Sequence, residues 1–162
     1  MKLLFPIILV AALAVSALSQ ASIRDGLKVN GVALGAKYAD VVKKLGKPTR
    51  DVTNRKMDEC IAAHIRTLYY PGLKLELSDD GKKAFTLFSF EVTSAAWYVS
   101  GAKVGNSQTD IQKFFGTKGR TIQKETAGPL WLYEMTDESP GSSNFFFKAG
   151  KVVKIQSGYE MC

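Results

Sequence analysis

The side chains best suited to chemistry gather around a single histidine. His64 is the only one in the chain, and Cys60 precedes it by four positions with Asp58 and Glu59 alongside. On a helix, positions 60 and 64 would share a face, and a thiol–imidazole pair could act as nucleophile and base. The same four residues could in principle hold a metal ion. Their spacing matches no recognised ligand pattern, and one thiol with one imidazole is thin for zinc. The plainer reading is a disulfide cysteine beside a surface histidine. Asp79-Asp80-Gly81 lacks the distal glutamate of a calcium loop and reads as a hairpin turn between alternating runs. Gly101 and Gly105 are not followed by the Gly-Lys-Ser/Thr of a phosphate loop. Asp40 and Asp110 fit helix starts better than paired acid–base groups. No catalytic set, metal site or cofactor is expected.

Aromatic residues offer more. Tyr69, Tyr70, Trp97, Tyr98, Trp131 and Tyr133 fall in or beside segments that read as strands. In a strand, adjacent side chains point to opposite faces, so adjacent rings split between core and surface. Tyr and Trp with basic neighbours are common anchors of protein contacts. Tyr70, Trp131 and Tyr133 are the expected exposed anchors.

The elements that position these rings come from a segment written twice. Residues 30–50 and 100–120 share Gly31/Gly101, Gly35/Gly105, Asp40/Asp110, Lys43/Lys113, Gly46/Gly116 and Arg50/Arg120 without a gap. That is six identities in 21 positions, against roughly one or two by chance. In each copy a glycine turn precedes a short helix. Tyr38, Val41, Val42 and Leu45 recur at helical spacing, with Gly46 placed as a C′ residue. Ser107 and Asp110 form a capping-box pattern, ahead of Ile111, Phe114 and Phe115 as a buried face. Leu73-Lys74-Leu75-Glu76-Leu77 alternates as a half-buried strand should, and Phe85–Val92 returns. Thr121–Glu125, Leu130–Met135, Phe145–Phe147 and Val152–Ile155 read as further strands, with 140–143 as a loop. Arg50–Ala63 shows no period. The expected class is α+β. It comprises two tandem ~70-residue repeats, each a short helical element followed by three or four antiparallel strands, with helices packed on one face of the sheet.

The ends and the charge bear on where such a chain works. Lys2, the apolar run Leu3–Leu18 and the small residues Ser19 and Ala21 read as a signal peptide over 1–21. The first repeat then spans 22–98 and the second 99–162, packed as one compact unit. An exported location follows, periplasmic or secreted. No cysteine near the cleavage point could take a lipid, and no later stretch is long enough to span a bilayer. In an oxidising compartment two cysteines read as a Cys60–Cys162 disulfide. Closing so long a loop could stabilise by up to ~4–5 kcal/mol. The formal charge is +7. Its Lys and Arg residues are spread along the chain rather than clustered with aromatics, which argues against nucleic acid.

Gly31-Val32-Ala33-Leu34-Gly35 with Asp40-Val41-Val42-Lys43-Lys44-Leu45-Gly46-Lys47-Pro48 resembles the helical start of domains in the β-lactamase inhibitor proteins. It is similar also to that of a small outer-membrane-assembly lipoprotein. The inhibitor proteins carry two such units in tandem. The resemblance implies a concave sheet surface that grips another protein. The lipoprotein's acylated cysteine has no counterpart here, and no partner-contacting loop aligns. The expected function is therefore an exported, non-enzymatic binding protein, inhibitor-like or assembly-like, gripping another envelope or exported protein through an aromatic sheet face. The alternatives are a binder of anionic envelope polymer or lipid, and a small hydrolase or thiol enzyme using Cys60 and His64.

Overall fold

The protein's structure is a computed structural model that describes residues 27–79, 84–115, 120–124, 131–136 and 141–159. Residues 120–124, 131–136 and 141–142 are described by backbone alone. A two-stranded hairpin, β1 (Lys28–Val29) and β2 (Val32–Ala33), leads into helix α1 (Tyr38–Leu45). Four strands follow: β3 (Arg50–Thr53), β4 (Ile65–Tyr70), β5 (Leu73–Ser78) and β6 (Thr86–Val92). After α2 (Gln108–Phe115) come β7 (Arg120–Lys124), β8 (Trp131–Thr136), β9 (Gly141–Lys148) and β10 (Lys151–Tyr159). The eight later strands form one antiparallel sheet in the order β3-β4-β5-β6-β10-β9-β8-β7.

This corrects the expected class. The described structure is mostly β, built on one continuous sheet, and not two α+β repeats each with a helix layer. The physical reason is size. Each helix has eight residues, about 12 Å of length at 1.5 Å per residue. Eight strands at about 4.8 Å spacing make a sheet more than 30 Å wide. Two such helices cannot form a layer over it, and they bury only Val41, Ile111 and Phe115. The β1–β2 hairpin and the segments beside it supply other apolar cover through Leu27, Val29, Val32, Val99 and Ala102. The expected loop at 140–143 is also corrected, because β9 begins at Gly141.

Strand alternation sorts the sheet into two faces. On one, Leu68, Leu75, Leu77, Phe90, Phe145 and Ile155 are buried with Val41 and Ile111 in a single apolar cluster. Burying each such side chain is worth about 1.5–3 kcal/mol. The other face carries Tyr69, Lys74, Glu76, Ser89, Glu91, Asn144 and Gln156, whose neighbours in register across β4, β5, β6, β10 and β9 are again polar, except that Ser89 meets Gly158. Gly46 ends α1 as its spacing predicts, at φ 84° with its N–H donating to Val42 O.

Candidate functional site

The polar face holds a cleft of about 170 Å³ between β5, β6, β10 and β9. One rung of the sheet runs Lys74, Glu91, Gln156, Asn144, each directly paired across strands. The next runs Glu76, Ser89, Gly158. Gly158 makes the depression. A Cβ there would lie 2.8 Å from Ser89 Cβ and 3.3 Å from Phe88 O, so no side chain fits without a shift of β6.

Hydrogen bonds organise the walls. Lys74 Nζ sits 2.8 Å from Glu76 Oε1, and Ser89 Oγ donates to Glu76 Oε2 at 2.9 Å. The bond to Glu76 raises the Lys74 pKa, so its ammonium stays charged. Gln156 Nε2 donates to Glu91 Oε2 at 2.7 Å, and Lys154 Nζ lies 3.9 Å from the same oxygen. One group is left over: Asn144 Oδ1 is buried without a hydrogen-bond partner. A buried acceptor left unpaired costs about 1–3 kcal/mol. Two aromatic rings flank the rung, each under a cation. Arg50 lies 3.9 Å over the Tyr69 ring, and Lys154 lies 3.9 Å over Phe146.

The sequence-derived candidates fall elsewhere. Tyr70 is 7% exposed, which corrects its expected place as a surface anchor. Its hydroxyl donates to Gly46 O at 3.0 Å, and its ring meets Trp97 edge-on at 5.7 Å. Burial pushes its pKa up. Its neighbour Tyr69 takes the polar face instead. Trp131 and Tyr133 pair in register with Phe147 and Phe145, positions on the apolar face; their side chains lie outside the described residues.

Cys60 and His64 sit on no helix, and residues 59–62 form a turn. Cys60 is disulfide-bonded, so it offers no thiolate. Cys162 lies outside the described residues. His64 Nδ1 is 3.0 Å from Asp79 Oδ2, while its backbone N–H donates to Asp79 Oδ1. Among the described residues, no cluster of three or more His, Cys, Asp or Glu could hold a metal. Asp80 and Gly81, the expected turn, lie outside the described residues. Asp110 caps α2 as its spacing suggests, whereas the N-cap of α1 is Lys37, with no side-chain bond.

A second polar cluster is structural. Arg66 Nε and Nη2 each donate to Asp51 at 2.8 Å, Tyr38 donates to Asp51 Oδ2 at 2.9 Å, and the guanidinium stacks 3.6 Å over the Tyr38 ring. The Arg66 hydrogen bonds hold the Asp51 carboxyl below its usual range. The cluster ties the start of α1 to edge strand β3.

Sequence reasoning missed Tyr69, Asn144 and Gly158. The alternation rule could have found Tyr69, since one of two adjacent tyrosines had to face each way. Nothing local marks the other two, because register alone brings them together.

Compared with known proteins, the chain matches no family model and no curated protein sequence. Two solved structures align with part of it. One is an extracellular protein containing an SCP domain from Bacillus anthracis str. Ames, with TM-score 0.49 and 10% identity over 79% of this chain. This chain spans 44% of that protein's length. The other is a DUF4309 family protein from Bacillus subtilis subsp. subtilis str. 168, with TM-score 0.42 and 12% identity, covering 77% of this chain and 79% of that one.

Proposed function

We propose that this chain is an exported, non-enzymatic binding protein that grips another protein across the polar face of its sheet. The observation that carries this reading is the cleft over Gly158, with a buried, partnerless Asn144 Oδ1 in its wall. An inhibitor-like or assembly-like partner fits such a face, and the leader-like residues 1–21 support export. The tyrosine anchor moves from Tyr70 to Tyr69. A Cys60–Cys162 disulfide remains part of the proposal. The anionic-polymer reading gains nothing from this face, where Lys74 and Lys154 are matched by Glu76 and Glu91. The thiol-enzyme reading loses its nucleophile to the disulfide at Cys60.

The test is capture. The oxidised chain is immobilised and exposed to envelope and secreted extract at low salt and at about 0.5 M, where exposed charges are strongly screened. Wild type and Phe114→Ala, altered on the helix side, should retain one discrete protein at both salts. The Tyr69→Ala/Gln156→Ala variant should lose it. Retention that ignores the double substitution, that vanishes with salt, or that never occurs would overturn the reading.

A further inference from the structure

We infer that the cleft over Gly158 is a subsite for the cationic end of a lysine or arginine side chain on the gripped protein. This rests on the binding reading above. The cleft is small and half open. At about 30 Å³ for each water, its 170 Å³ would hold between five and six. That is room for one extended side chain and not for a backbone. Gly158 supplies the floor because any side chain there would collide with Ser89.

The sign of the occupant follows from what the wall has left to offer. Several donors are already engaged within the wall. Lys74 is engaged by Glu76, the Ser89 hydroxyl donates to Glu76, and Gln156 Nε2 donates to Glu91. Lys154 lies over the Phe146 ring. Acceptors remain. Asn144 Oδ1 has no partner, and it stands on the same rung as the Glu91 carboxylate, with Gln156 between them. An anion entering here would face a carboxylate and an orphan carbonyl oxygen, beside ammonium groups that already have carboxylate partners. An ammonium or guanidinium would donate to both, and hydrogen bonds between charged and polar partners are the stronger kind.

The probes are N-acetyl-lysine methylamide, N-acetyl-arginine methylamide and, as the acidic control, N-acetyl-glutamate methylamide. Each is titrated into the isotope-labelled full chain, and backbone amide shifts are followed. Both basic probes should move the amides of Ser89, Glu91, Gln156 and Gly158, and the acidic probe should move none. Asn144→Leu should weaken the basic probes about tenfold or more. Glu91→Gln keeps the shape and removes the charge, and should weaken them too. The inference is overturned if the basic probes leave those amides unmoved, if the acidic probe binds as tightly, or if both variants bind like wild type. The two proposals separate cleanly. Should the probes fail while Tyr69→Ala/Gln156→Ala still loses the captured protein, the subsite falls and the binding face stands. Probe binding with capture indifferent to that variant would sink the binding reading instead.

Discussion

The turn before α1 and the turn before α2 have the same backbone but are fastened by different side chains. Asn30 and Gly31 sit at φ 44° and 77°, and Ser100 and Gly101 at 47° and 94°. The two turns also hold each other. Asn30 N–H donates to Tyr98 O and Ser100 N–H to Lys28 O, while Asn30 Oδ1 accepts from Tyr98 N–H and Ser100 Oγ from Lys28 N–H. Past the turns the likeness ends. Lys44 Nζ reaches over Gly31 to its carbonyl at 3.1 Å, whereas the Phe114 ring lies over Gly101. The start of α2 is closed by Ser107 and Asp110, and that of α1 by the Tyr38–Asp51–Arg66 cluster. A positive-φ pair is a narrow backbone requirement, so Gly recurs at its second position. Fastening can be met by many chemistries, so it diverges.

Substitutions can break this comparison at several depths. The largest effect should come from the helix anchors. Ile111→Ala should cost about 2–5 kcal/mol, read as a fall in urea midpoint, and Val41→Ala less, in proportion to the smaller volume removed. If α1 were held by its polar cluster alone, Val41→Ala would be silent.

Next come the fastenings themselves. Arg66→Ala should cost about 1 kcal/mol, allowing for the solvent that reaches this part-exposed pair. The cost should depend on pH with a definite sign. The folded Asp51 carboxyl titrates below its unfolded value, so its contribution is complete above about pH 4. It disappears as pH falls through the lower folded value. Unfolding of wild type and Arg66→Ala compared between about pH 2 and 6 should show the two curves converging at the acid end. Ser107→Ala should cost about 1 kcal/mol through loss of the cap, and Lys37→Ala at the matching position close to nothing. Equal losses at both would mean that the two helix starts are fastened alike after all.

The smallest effect should be at the covers of the glycine turns. Lys44→Ala and Phe114→Ala should each stay within about 0.5 kcal/mol, as exposed substitutions usually do.

How much of this was legible depended on sequence distance. Leu73, Leu75 and Leu77 announced a strand with one buried face, and the structure buries all three. Ser107 and Asp110 announced a cap, because a capping box is complete within four residues. Tyr70 was misplaced because a pair of adjacent tyrosines fixes that one ring goes in, but not which. That parity is set by pairing with β5, where Tyr70 meets Leu73 and Tyr69 meets Lys74. The α+β class failed for a similar reason. The duplicated segments described local turns and helices, whereas the pairing of Ile155 with Val92 that makes one sheet of eight strands spans 63 positions. The cleft was the least legible feature. Ser89, Asn144 and Gly158 carry no shared motif, and only the register of β6, β10 and β9 places them together.

The most direct test of the binding face is a photo-crosslinking amino acid placed at Tyr69 or at Phe114, on opposite faces of the molecule, during capture from extract. The account predicts a covalent adduct with the retained protein from position 69 and none from position 114. An adduct from position 114, or silence from position 69 while the partner is held, would contradict it.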